Sequence, residues 1–199
     1  MKIKNPFFKK AKKIYLSDIL QILGKKKFTK NRIIDDITDL KFASINDISF
    51  FNNLKYLDLL KASKVNYVIT NEKNLSKIKN YCTPIIVKNV LNSVYAVTEL
   101  FYPNSLDDAV DFTVKSPNLQ KFKKIKFGNN VLIGKNVKIG KNCLIGHNTI
   151  IEKNVVIGSN CSIGSNVIVR NTVINDNVYI LDGCVIGKKG FGFFPNQEK

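Results

Sequence analysis

From Phe127 onward the chain repeats itself every six residues, and no other feature limits its fold as tightly. Phe127, Ile133, Ile139, Ile145, Ile151, Ile157, Ile163 and Val169 recur at that period. Gly follows at 128, 134, 140, 146, 158 and 164, with Glu152 and Arg170 in the other two places. Asn stands three residues after each of the first seven, from Asn130 to Asn166, and a small or β-branched residue follows it. A six-residue unit is too short for a capped helix but fits a short strand and a corner. The aliphatic residue and the small residue four places later fill a narrow interior, and Asn and Gly tolerate left-handed backbone at tight corners. Stacking such units pairs each strand with equivalents about 4.8 Å above and below it, which makes a parallel β-helix.

The period slips once. The unit from Val169 to Val173 is one residue short, after which Ile174, Ile180 and Ile186 resume the pattern. Two readings stay open for the slip, a bulge or corner loop beside a site and a drift without consequence. Cys143, Cys161 and Cys184 all occupy the small inward position, so they read as buried spacers rather than redox or metal groups. With Cys82, the chain has four cysteines in neither paired nor metal-type spacing, which fits a reducing compartment and a cytoplasmic protein.

Ahead of the repeat the pattern changes to that of a compact α/β domain. Leu16, Ile19, Leu20 and Leu23 have helical spacing, with Ser17 as the expected N-cap and Gly24 as the stop. Residues 65–70 and 84–87 read as strands. A last helix through Val94, Val97, Leu100 and Phe101 is expected to start at Asn92 or Ser93 and to end before Pro103. The chain therefore divides into a basic start (1–13), an α/β domain (14–101), a linker (102–126), the repeat (127–187) and the beginning of a loop (188–199).

The formal net charge is +17, from 32 Lys and Arg against 15 Asp and Glu. Only Arg32 and Arg170 are Arg, and a reader of base edges or phosphates relies on the Arg fork, so nucleic acid is not the expected partner. Asn is also abundant, at 25 residues, and joint Lys and Asn enrichment fits a compositional bias. The competing explanation is an anionic membrane surface, touched peripherally at most, or an acidic carrier protein. No stretch is apolar enough to span a bilayer, and the basic start lacks the apolar run of a secretory signal.

Phe50, Asn53 and Tyr56 are spaced three apart, so a helix starting there would carry them slowly round one side. Two rings flanking a carboxamide can clamp a flat heterocycle, the rings by stacking and the Asn by donating and accepting. An ordinary helix start with buried aromatics has the same spacing.

Several segments together resemble UDP-3-O-acylglucosamine N-acyltransferase of the LpxD type, from the lipid A pathway. They are Tyr15–Leu20, the segment Ile48-Ser49-Phe50 with Asn53, Lys55 and Tyr56, then Ile86–Asn89, the hexapeptide units, and Gly190-Phe191-Gly192-Phe193. The resemblance implies a left-handed β-helix with three units per 18-residue coil, hence a little over three coils here, and a homotrimer with active sites between neighbouring helices. It implies that Phe50 and Tyr56 stack on the uracil of a UDP-sugar while Asn53 hydrogen-bonds to it. The implied reaction moves a 3-hydroxyacyl chain from acyl carrier protein to the 2-amine of UDP-3-O-acyl-glucosamine, with no further cofactor and no metal. A general base takes the amine proton, and the family's catalytic His lies past the Gly-Phe-Gly-aromatic segment. That places it beyond Lys199, so no residue of this chain is assigned a catalytic role and little turnover is expected from residues 1–199. His147, the single histidine, lies in an earlier coil and reads as an outward corner residue. The alternatives are a non-catalytic nucleotide-sugar-binding trimer and a hexapeptide enzyme that acetylates a sugar amine from coenzyme A.

Overall fold

The computed structural model describes residues 6–25, 31–107 and 109–188. These fall into two compact units, one of residues 8–106 and one of residues 6–7 and 107–188. The first is an α/β unit. A short antiparallel pair, β1 (Ile14–Tyr15) with β2 (Ile33–Ile34), stands beside α1 (Leu16–Ile22). The central sheet has three parallel strands, β3 (Ile48–Phe50), β4 (Tyr67–Thr70) and β5 (Thr83–Ile86), in that order. The connections carry α2 (Leu57–Ala62) and α3 (Leu75–Ile78), and α4 (Val90–Phe101) follows β5.

All four residues of β4 are buried, as a central strand covered on both faces requires. Alternation along the strands feeds two cores. Ile48, Ile69 and Ile85 pack with Leu16, Ile19, Leu20, Val97 and Phe101 of α1 and α4. On the other face, Val68 packs with Phe51, Leu60 and Ile78, where α2 and α3 lie.

Two helix starts differ from those the sequence predicts. Ser17 lies inside α1: the cap residue is Tyr15, whose N–H donates to the Asp18 carboxylate at 2.8 Å, while the Ser17 N–H goes to Asn31. The last helix begins at Val90, capped by the Asn89 side chain, which accepts the Asn92 N–H at 3.1 Å. Asn92 and Ser93 are therefore inside the first turn, because the Asn89 side chain already caps the helix three residues earlier. Gly24 ends α1 as predicted, at φ +63°.

The second unit is the parallel β-helix. Its strands are β6 (Ile125–Phe127), β7 (Leu132–Ile133), β8 (Lys138–Ile139), β9 (Cys143–Ile145), β10 (Ile150–Ile151) and β11 (Val156–Ile157). They continue as β12 (Ser162–Ile163), β13 (Ile168–Val169), β14 (Val173–Ile174), β15 (Tyr179–Ile180) and β16 (Val185–Ile186). Every third strand pairs in parallel, giving three sheets ordered β7-β10-β13-β16, β8-β11-β14 and β6-β9-β12-β15. The interior is the predicted set: Ile133, Ile145, Ile151, Ile157, Ile163 and Val169 with Val131, Val137, Cys143, Val155, Cys161 and Val167. Cys143 and Cys161 are buried, and Cys184 is half-buried against the same core.

The slip shortens one corner and leaves the ladder intact. Below it partners are 18 residues apart, as in Ile150↔Ile168; across it they are 17 apart, as in Val156↔Val173 and Ile168↔Val185. The short corner lies at residues 170–172, where the Thr172 hydroxyl donates to the Arg170 carbonyl at 2.6 Å.

Asn and Gly do separate work at the corners. Every non-Gly residue with positive φ among the described residues is an Asn, and nine of these ten form coil corners, Asn130 to Asn177. Their amides also form ladders between coils: Asn130 donates to Asn148, Asn142 to Asn160, and Asn160 to Asn177, at 3.1–3.3 Å. Part of the Asn enrichment is thus structural. The glycines that directly follow the aliphatic residue at 128, 134, 140, 146, 158 and 164 do not sit at positive φ, whereas Gly183 and Gly187 do, both at +74°. A Cβ on Gly128 would lie 2.7 Å from the His147 nitrogen, and one on Gly140 would lie 2.6 Å from the Gly158 carbonyl carbon. They are glycines because successive coils approach too closely for a side chain, not because the backbone turns left there.

A second ladder caps the residue after each such glycine. Its N–H donates to a side chain one coil on: Asn129 to His147, Lys141 to Ser159, His147 to Ser165, Ser159 to Asp176 and Ser165 to Asp182. The third corner takes its caps from outside the repeat. Lys135 N–H donates to the Thr113 hydroxyl at 2.9 Å, and Lys153 N–H to the Asp111 carboxylate at 2.7 Å. Next to them, Lys115 exchanges both backbone hydrogen bonds with Ile133 in antiparallel sense, on the outer edge of β7.

Candidate functional site

The segment around Phe50 is not a helical face. Phe50 is the last residue of β3 and is half-buried. The chain stays extended through Asn53, at φ −143° and ψ 133°, before one 3₁₀ turn at Leu54–Tyr56 and then α2. The Asn53 side-chain oxygen accepts the Lys55 N–H at 2.9 Å, so the Asn side chain serves local backbone and delays the helix. Phe50 therefore belongs to the strand, Asn53 to the cap and Tyr56 to the end of the turn. All three still lie where the chain leaves the carboxyl end of β3, with Asn53 and Tyr56 exposed. The Asn53 oxygen keeps a second lone pair and its NH₂ both hydrogens for a ligand. Phe51, next in sequence, is buried on the opposite face and belongs to the core.

Because the three strands are parallel, their carboxyl ends share one edge of the sheet. Phe50, Ile69 and Ile85 are in register across it. Past β5 on this edge come Val87, Lys88 and Asn89, and two clefts flank them. One, of about 380 Å³, is lined by Lys25, Val87, Lys88, Asn89, Asn92 and Ser93 among others. The other, of about 420 Å³, adds Asn71, Glu72 and Lys73 to the shared Lys25, Val87 and Lys88. Sequence reasoning gave these residues no role, since they come from three connections far apart in the chain. The available signal was the polar run after each of the strands read at 65–70 and 84–87, a place where open α/β sheets gather ligands.

Elsewhere several titratable groups are held by neighbours. His147 is exposed, as predicted, and its Nδ1 accepts the Asn129 N–H at 2.9 Å. The Tyr102 hydroxyl donates to Asp36, which also meets Lys10 at 3.6 Å. Burial, and then Asp36, push that hydroxyl above the ordinary tyrosine range. Burial raises the Cys143 thiol, whose Sγ lies 3.1 Å from the Gly158 carbonyl. Among the described residues no group of three or more His, Cys, Asp or Glu side chains is placed to hold a metal ion. No described helix is long and apolar enough to cross a membrane. The Gly190–Phe193 segment lies outside the described residues.

Residues 127–190 match the family model of the GMPPB C-terminal domain. The match covers the hexapeptide coils and stops short of the α/β unit. No curated protein matches the chain significantly.

Proposed function

We propose that this chain is an N-acyltransferase of the LpxD type whose α/β unit binds the nucleotide sugar. In this reading its β-helix is left-handed and assembles as a homotrimer. The observation that carries the reading is the position of Phe50, Asn53 and Tyr56. They lie at and just past the carboxyl end of a parallel strand, with two aromatic rings and a carboxamide within seven residues. The match of the coils to a domain associated with nucleotide-sugar enzymes supports the same substrate class.

The substrate is UDP-3-O-acyl-glucosamine and the donor is acyl carrier protein. The sugar's 2-amine attacks the thioester carbonyl, the C–S bond breaks, and the thiol leaves as an amide forms. A general base takes the amine proton; His147 is not assigned to it, because its Nδ1 is held by the coil.

The test is calorimetric titration of UDP-N-acetylglucosamine into the protein and into its Tyr56→Ala variant. Binding that UMP competes away, and that the variant loses, supports the reading. Binding of coenzyme A without any dependence on uracil overturns it. The engagement of His147 favours a second reading, a nucleotide-sugar-binding trimer without catalysis. Acyl transfer by the protein would exclude that second reading.

A further inference from the structure

We propose that the trough flanking Val87–Asn89 is a phosphate subsite. The inference rests on the nucleotide reading only for the identity of the base next to it. The two clefts on the carboxyl edge share Lys25, Val87 and Lys88, so they adjoin along this stretch. Three lysines converge on it from different connections: Lys25 after α1, Lys73 after β4 and Lys88 after β5. None of them is in an ion pair among the described residues, and all three are exposed. Glu72, the one carboxylate on the walls, does not balance them. An accumulation of uncommitted ammonium groups in a concave site calls for an anion, since like charges repel unless a counter-charge sits between them.

Among the remaining lining groups the Ser93 hydroxyl already donates to the Asn89 carbonyl at 2.8 Å, which leaves the helix end itself to offer donors. Asn89, Asn92 and Ser93 come from the first turn of the 12-residue helix α4. Asn89 caps the Asn92 N–H, and the N–H groups ahead of it have no intrahelical acceptor by helix geometry. Those donors and the positive end of the helix add to the lysines.

The spacing fits one ligand. Phe50 and Ile85 are in register two strands apart, which puts the aromatic segment and the lysine trough about 10 Å from each other along the same edge. A nucleoside diphosphate with its base at Phe50, Asn53 and Tyr56 runs its ribose across the end of β4 and brings its phosphates to Lys73, Lys88 and Lys25.

The test compares uridine, UDP and inorganic pyrophosphate as probes, by calorimetry at fixed salt, on the protein and on the triple variant K25Q/K73Q/K88Q. Folding of the variant is checked by circular dichroism, and exposed Lys→Gln changes leave the core untouched. The expected result is that UDP binds the protein about tenfold or more tightly than uridine, and that the triple variant erases the difference while uridine affinity holds. A UDP preference that survives in the triple variant overturns the subsite, as does failure of the unaltered protein to bind either UDP or pyrophosphate. Pyrophosphate bound by the protein and lost in the variant, with uridine never bound, upholds the subsite and overturns the uracil assignment instead.

Discussion

The backbone N–H of Asn129 donates to Nδ1 of His147, one coil further along, at 2.9 Å. Ser159 and Ser165 do the same for Lys141 and His147 with a hydroxyl. The single histidine of the chain is therefore one rung of a capping ladder. His147→Ala is expected to lower unfolding free energy by about 1 kcal/mol, and His147→Ser to restore most of it, as the hydroxyl replaces the lost acceptor. Urea denaturation of the two variants measures the difference; equal losses would mean that the ring acts by packing.

Asp111 is buried at 4% exposure and accepts N–H groups from Thr113 and Lys153 and the Thr113 hydroxyl proton. Burial alone would raise its pKa. The hydrogen bonds from Thr113 and Lys153, with the Lys153 charge, outweigh it and hold the carboxyl below 3.8. A carboxylate with a depressed folded-state pKa stabilises the fold fully above its unfolded value and loses that contribution as pH falls through the folded one. Stability is thus expected to drop as pH falls below about 4, with a smaller drop in Asp111→Asn. Denaturation midpoints at pH 6 and pH 3 for both proteins give the comparison.

Gly140→Ala places a methyl group against the Gly158 backbone, which is paired on both sides and cannot yield without disturbing the next coil. The expected cost is about 1–3 kcal/mol, the range for overpacking a tight interior. Thermal unfolding would show it directly.

Asn53 caps a turn and is also assigned to base recognition, and two substitutions separate these duties. Asn53→Asp keeps the acceptor for the Lys55 N–H and removes the NH₂ donor; Asn53→Ala removes both. Stability is expected to fall by about 1 kcal/mol in the Ala variant alone, while uridine affinity falls in both. Uridine affinity unchanged in Asn53→Asp would remove the donor from the recognition scheme.

Thiol accessibility gives a check on both units. Burial pushes Cys82 up to about 11, so at pH 8 only about one molecule in a thousand carries its thiolate. Cys143 and Cys161 are buried outright. Slow labelling of all three in the folded protein is expected, becoming rapid in denaturant. Fast labelling of Cys143 or Cys161 without denaturant would mean that the coils open.

The coil was legible because its period is a local property: Ile145 and Ile163 face inward for the same reason, and the sequence states it seven times over. The caps from Asp111 and Thr113 were not, since their partners Lys153 and Lys135 lie 42 and 22 residues away with no repeating signal. The six glycines from Gly128 to Gly164 were located correctly and explained wrongly, because a close approach between coils is visible only once the coils are stacked. The helix expected to unite Phe50, Asn53 and Tyr56 was displaced by a strand end and an Asn cap. The spacing of three was real, and the periodicity assigned to it was not. The lysine trough was hidden by topology, as Lys25 after α1, Lys73 after β4 and Lys88 after β5 become neighbours only once the unit is folded.

A ladder whose every level offers the next the same donors and acceptors has no memory of how many levels it contains. Left alone, its first rim would welcome another molecule's last, and the stack would lengthen from protein to protein. Lys115 denies that docking place at β7, since it already holds Ile133 and runs against the direction in which the coils propagate. Along that column the segment works as a foundation stone, and any growth of the assembly has to begin from the other faces.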